Sequence, residues 1–195
     1  MTLSPTPVAT TDSPHRPPLS YATFRVMDRL DEVCDVQGRA NGFTSAEREG
    51  RRTLIARRAA EPGLRAVGAF RGRRLAGFAY GAPLNADWWW AGEALDALGS
   101  TAELASLGRP FTLLELHVIP SLQRRGVGGT LARQLCRTAD PAFVLLTCRA
   151  SDPGLQHFYR TLGFTTLPGA RVGGHAYHVM TAPLPLRRRT SAFRA

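Results

Sequence analysis

A glycine turn set between an apolar segment and a helical pattern constrains this chain more than any other feature. Phe111-Thr-Leu-Leu-Glu-Leu-His-Val118 reads as a strand, Gln123-Arg-Arg-Gly-Val-Gly-Gly129 as a turn, and Thr130-Leu-Ala-Arg-Gln-Leu-Cys-Arg137 as a helix. Strand, glycine turn and helix in that order make an anion site. Glycines let backbone N–H groups face inward, and the helix N-terminus adds partial positive charge. The sequence therefore predicts an α/β fold with a phosphate-bearing ligand at this turn.

Length and composition narrow what that ligand can serve. With 195 residues and 44% apolar content, the chain can bury one core and leave excess at its ends. The formal charge is +10, but every basic residue is arginine, which points to a GC-rich, bacterial coding genome as much as to a polyanion partner. Nucleic acid is therefore not the expected partner. Cys34, Cys136 and Cys148 lie far apart with no C-x-x-C spacing, the pattern of reduced cytoplasmic thiols and not of a zinc site or disulfide framework. Residues 1–19 carry Pro5, Pro7, Pro14, Pro17 and Pro18 and no apolar leader pattern, so they read as a disordered tail. Residues 20–186 read as the folded domain and 187–195, with Arg187 to Arg189 and Arg194, as a basic tail. No apolar run approaches the roughly 20 residues that a membrane span needs.

Within the domain, Tyr21 to Arg25 predicts a short strand, and Val26, Leu30, Val33 and Cys34 recur at helical spacing up to Asn41-Gly42. Thr44-Ser-Ala-Glu47 has capping-box spacing and opens a second helix, with Leu54 and Ile55 inward and Arg51, Arg52, Arg57 and Arg58 outward. Leu64 to Phe70 and Leu75 to Tyr80 form a hairpin about Arg71-Gly-Arg-Arg74. Residues 83–109 are a long connection with Trp88-Trp-Trp90 and a short helix. After Asp140-Pro141, Phe143 to Cys148 is a continuous apolar run and so a buried strand. Asp152-Pro153 starts a helix that Gly163 ends, and Phe164 to Leu167 and Ala176 to Ala182 are the last strands.

Two familiar phosphate sites are excluded. A P-loop needs Gly-Lys-Ser/Thr, and this chain has no lysine. A dinucleotide fingerprint needs a third glycine where Leu131 stands. The remaining pattern, Gln/Arg-x-x-Gly-x-Gly/Ala, together with Glu115-Leu-His-Val-Ile-Pro120 before it and Phe158-Tyr-Arg-Thr-Leu-Gly-Phe164 after it, resembles the GNAT superfamily of N-acetyltransferases. The resemblance runs from Tyr21 to about Leu186; the connection 83–109 is longer than usual in the family, and Asp152 stands where the family often has Asn.

The resemblance implies a mixed sheet of about six or seven mostly antiparallel strands with a splayed central pair, flanked by about four helices. It implies acetyl-coenzyme A as co-substrate and no metal. Backbone groups at Leu116, His117 and Val118 would pair with the pantetheine arm between the splayed strands. Gln123, Arg124, Arg125, Gly126, Val127, Gly128, Gly129 and Thr130 would hold the pyrophosphate, with Asp152 and Tyr159 on the same cofactor cleft. Tyr159 matches the family tyrosine whose hydroxyl lies near the thioester sulfur, and is the expected general acid; packing beside Phe158 is its structural alternative.

Acetyl transfer to an amine needs a neutral amine, a stabilised oxyanion and a proton for the thiolate. Alternation puts Leu114, Leu116 and Val118 on one face of the strand and Leu113, Glu115 and His117 on the other. Glu115 or His117 could take the amine's proton; an ion pair with arginine and a satisfied core histidine are the plain alternatives. Trp88, Trp89 and Trp90, with Asp87 and Glu93 nearby, read either as an aromatic, acidic wall for a cationic acceptor or as an anchor or homodimer contact. The expected reaction is direct attack, in a ternary complex, by a primary amine of a small molecule or peptide. Two alternatives stand beside it: a coenzyme A-binding sensory or structural module without turnover, and a transferase acting on charged tRNA.

Overall fold

The computed structural model describes residues 17–99, 109–139, 141–174 and 176–186. The proposed C-terminal tail, most of the N-terminal tail, Asp140 and His175 lie outside them. Seven strands form one sheet in the order β1-β2-β3-β4-β5-β7-β6. They are β1 (Leu19–Thr23), β2 (Arg65–Arg71), β3 (Arg74–Pro83), β4 (Phe111–Val118), β5 (Phe143–Arg149), β6 (Thr165–Val172) and β7 (Tyr177–Pro183). All neighbours are antiparallel except β4 and β5. The α-helices among the described residues are α1 (Leu30–Asn41), α2 (Ser45–Ala59), α3 (Ala91–Gly99), α4 (Val127–Arg137) and α5 (Pro153–Thr161). The connection after β3 contributes α3, the short helix expected there.

The local signals act where the sequence placed them. Thr44 and Glu47 form a reciprocal capping box, Asp152 caps α5 through Leu155 N–H at 2.8 Å, and Gly42 closes α1 with φ 69°. Gly72, with φ 60°, turns the β2–β3 hairpin. Two readings are corrected. The first helical stretch begins as a 3-10 turn over Val26–Arg29 before α1 starts. The strand expected to stop at Leu167 runs on to Val172, because Gly169 takes φ 80° and the register with β7 shifts between Thr166 and Arg171, a bulge that carries the strand past Pro168.

The sheet is covered on both faces. Gly77 on β3 faces α4, since a Cβ there would meet Leu131 at 3.3 Å, whereas neighbouring Phe78 contacts His117, which reaches Asn41 at the end of α1. The faces alternate as the pleat requires. A second apolar cluster joins α3, Trp88 and Trp90 to β6 and β7. Arg58 departs from the expected outward position: it lies over the Trp88 ring at 4.8 Å and pairs with Glu61 at 3.5 Å. No helix among the described residues is long and apolar enough to cross a membrane, and no three His, Cys, Asp or Glu side chains there group as metal ligands.

Candidate active site

The sheet opens at its centre. β4 and β5 pair only at Phe111↔Val144 and Thr112↔Leu145, and then separate. Along β4 the burial changes at the same place: Phe111, Thr112 and Leu113 are buried, whereas Leu114, Glu115, Leu116 and His117 are half-buried. On the β5 side of this opening β4 therefore has backbone N–H and C=O groups that no strand pairs from Leu113 onward, a template for an extended amide-bearing ligand.

The glycine turn stands at the wide end of this gap. Gln123 turns back, its Nε2 donating to Val118 O at 2.9 Å, so this side chain ties the turn to the strand end. Arg124 adopts φ 60° and Gly126 φ 80°. A left-handed arginine is a sparsely populated conformation that costs about 1–3 kcal/mol and clusters at ligand sites. Here it lies two residues before Gly126 in the turn that opens α4. Gly126 is the N-cap of α4, with no side-chain cap and no acidic residue in the first turn, so the helix's positive end is left for an anion. Thr130 instead satisfies the Gly126 carbonyl, through N–H at 3.0 Å and Oγ1 at 3.2 Å. Arg124 and Arg125 are exposed, whereas Val127 and Gly129 are buried. Gly128 is the informative position: a Cβ there would meet only Phe158 and Val118, at 3.5 to 3.9 Å, which is ordinary contact. The protein itself could house alanine at this point.

Tyr159 is buried on α5, the helix that follows β5. Its ring packs edge-on to Phe164 at 5.6 Å and beside Phe158 at 5.1 Å. Burial pushes its phenol well above the ordinary range, and the nearby Cys148 on β5 and Glu115 on β4 push it further. It is a buried, protonated hydroxyl. Asp152 is exposed and occupied as a cap. Behind it, the buried Gln156, which sequence reading passed over, donates to Ala150 O at 2.9 Å and Arg149 O at 3.3 Å, fixing α5 to the end of β5.

On the α1 face, Glu115 and His117 meet as the alternation predicts, with Glu115 Oε2 and His117 Nε2 2.5 Å apart. Gln37 Nε2 donates to the same carboxylate oxygen at 3.2 Å, and Asn41 Nδ2 lies 3.3 Å from His117 Nδ1. Burial would raise the Glu115 carboxyl, but the His117 hydrogen bond and charge, Arg51 and Gln37 together hold it below its ordinary value. The carboxylate is thus ionised near neutrality, and both side chains keep partial exposure. Tyr80 lies directly opposite Glu115 in the β3–β4 register and stacks on Phe78 at 5.7 Å. Its buried hydroxyl and Gln37 Oε1 have no hydrogen-bond partner.

The three tryptophans separate. Trp88 and Trp90 are buried, and Trp88 donates from Nε1 to Glu61 at 2.9 Å with its face under Arg58. Trp89 is 64% exposed and sits edge-on to Tyr177 at 6.0 Å. They therefore do not line one wall, and Asp87 and Glu93 are exposed. Gln37, Asn41, Tyr80 and Arg51 were not singled out from the sequence. Only the β3–β4 register and the α1 docking reveal them.

The Acetyltransferase (GNAT) family model matches residues 30–164. The chain belongs to this family. Among solved structures, a GNAT-family protein from Desulfovibrio desulfuricans superposes with TM-score 0.63 at 15% identity over 85% of this chain and 99% of that one. Arabidopsis thaliana NAA60, solved with acetyl-CoA, gives 0.60 at 13% identity over 86% of this chain and 99% of that one. Among curated proteins, the GCN5-like protein acetyltransferase Rv2170 of Mycobacterium tuberculosis is 33% identical over 121 residues, which cover 56% of this chain and 59% of that protein. The chain thus spans about three fifths of that relative's length. The GNAT match covers the strand pair, the glycine turn and the Tyr159 helix together.

Proposed function

We propose that residues 20–186 form an acetyltransferase domain that moves an acetyl group from acetyl-coenzyme A to a primary amine by direct attack in a ternary complex. The observation that carries this reading is the separation of β4 from β5 with the glycine turn following the freed end of β4. When bound, acetyl-coenzyme A supplies the activated acyl group and a thiolate leaving group. The chain's own work is then divided between the two faces. Unpaired β4 backbone at Leu116 to Val118 holds the arm, and the turn from Arg124 to Gly129 holds the pyrophosphate. Glu115 and His117 receive the amine's proton as a pair. Tyr159, kept protonated by burial, gives a proton to the departing sulfur.

Free-thiol release from acetyl-coenzyme A across an amine panel tests the reading. Turnover with at least one amine is expected, and Tyr159→Phe should lower kcat about a hundredfold, the low end for a positioned acid because a thiolate leaves readily. Calorimetric binding of the donor with no thiol release across the panel would overturn the transferase in favour of a ligand-binding module.

A further inference from the structure

The Glu115–His117 pair has a third member on the far side of the imidazole ring. Asn41, the last residue of α1, brings Nδ2 to two atoms: the Gln37 carbonyl oxygen at 2.8 Å and His117 Nδ1 at 3.3 Å. The first contact settles which way the amide is turned. A carbonyl oxygen only accepts, so the Asn41 atom facing it is the NH2 group and not the amide oxygen. That group carries two hydrogens, and the second is left for His117 Nδ1. Nδ1 therefore accepts, and the ring proton sits on Nε2.

The other end of the ring uses that proton. Nε2 lies 2.5 Å from Glu115 Oε2, and a carboxylate oxygen only accepts, so the bond runs from Nε2–H to Glu115. Phe78 packs against the ring, 5.4 Å between centroids, and steadies its plane. With both nitrogens engaged, His117 has no free lone pair for a further proton. Glu115 is divided differently. Its Oε2 accepts from His117 Nε2 and from Gln37 Nε2, whereas Oε1 accepts from none of the described residues and is not one of the enclosed unpaired atoms. The Glu115 side chain is 21% exposed and that of His117 16%, and Asn41 is exposed, so the chain of three opens to the surface.

We infer that Asn41 is a positioning residue of the transfer reaction: it fixes His117 as the Nε2–H tautomer, which leaves Glu115 Oε1 as the atom that takes the amine's proton. The inference rests on the transferase reading and names the division of labour inside the pair. As the amine nitrogen bonds to the acyl carbon, its N–H bond breaks and an Oε1–H bond forms, the electron pair staying on nitrogen. The carboxyl releases that proton to water once the product has left. His117 gives its hydrogen bond to Oε2 and holds the carboxylate in place.

The test reads the tautomer directly, by nitrogen NMR of the isotope-labelled full chain, with the His117 signals assigned through His117→Gln. In the wild type, Nε2 should carry the proton and Nδ1 should be bare. Asn41→Ala removes the donor, so the proton should divide between the two nitrogens. With any accepted amine, kcat should then fall about three- to tenfold, the value of one hydrogen bond, while KM for acetyl-coenzyme A stays unchanged. Asn41→Asp puts an acceptor where the donor was, and should draw a proton onto Nδ1 with a larger loss of kcat. A wild type protonated at Nδ1 overturns the inference, as does an Asn41→Ala protein in which either the tautomer or kcat stays as it was. Those outcomes leave the transferase standing. Donor binding without thiol release from any amine overturns both.

Discussion

The donor half and the acceptor half of this cleft are built from different materials. The donor half is mainly backbone: unpaired strand edge along β4, left-handed geometry at Arg124 and Gly126, and the open first turn of α4. The proposed acceptor half is side chains drawn from α1, β3 and β4, with the Glu115–His117 pair at its centre. Backbone donors recognise an anion in whatever molecule carries it, and are fixed by glycine and turn chemistry over a few consecutive residues. A side-chain cluster discriminates between acceptors, and exists only once distant segments are packed together. The two halves should therefore fail separately when mutated.

The largest effect is expected on the acceptor side. Glu115→Gln keeps the shape and the Gln37 neighbour but removes the charge that orients His117, so kcat for amine acetylation should fall by about 10²–10⁴. Donor affinity, measured calorimetrically on the same protein, should stay where it was. A matching loss of donor affinity would show that the halves are not separate.

Gly128→Ala is the reciprocal change, and its effect is smaller. The free protein accepts the methyl group at ordinary contact distances, and alanine is the better helix former, so thermal stability should hold or rise slightly. Affinity for acetyl-coenzyme A should drop about ten- to a hundredfold, the value of a charge-assisted hydrogen bond lost where a phosphate approaches the backbone. Unchanged affinity would place the pyrophosphate elsewhere.

This division also explains what could be read in advance. The glycine turn, the strand before it and the Tyr159 helix are runs of neighbouring residues whose geometry is set by local chemistry, and the family resemblance was visible in them. Glu115 and His117 were legible as a pair because strand alternation puts both on one face. Tyr80 was not, since it looks like one more aromatic in an apolar strand until the register sets it opposite Glu115. Arg58 was grouped with its outward neighbours, because a side chain on the same helical face can be solvated or can cover an aromatic ring depending on how α2 docks. The tryptophans show the converse limit: three adjacent residues left a wall and an anchor both open, and only packing sends Trp88 and Trp90 into the second apolar cluster and leaves Trp89 exposed.

The smallest effects concern pH, and here too the halves separate. In the acceptor half, Glu115 has a folded value below its ordinary 4.5, so its stabilising contribution is complete above that value and is lost as pH falls through the lowered one. In the donor half, burial, then Asp152, pushes the Cys148 thiol from 9.0 to about 11. The folded state holds that proton more tightly than the unfolded chain does, so no stability is lost below pH 9, and the loss develops between 9 and about 11. Cys136, raised by burial from 9.0 to about 12, extends the same alkaline limb. Melting temperature recorded against pH should therefore decline at both ends. Glu115→Gln should flatten part of the acid limb and leave the alkaline one, whereas Cys148→Ala should flatten part of the alkaline limb alone. A variant that altered both limbs would mean that the two sides of the gap titrate as one unit, with Tyr159, which senses both Cys148 and Glu115, as the connecting group.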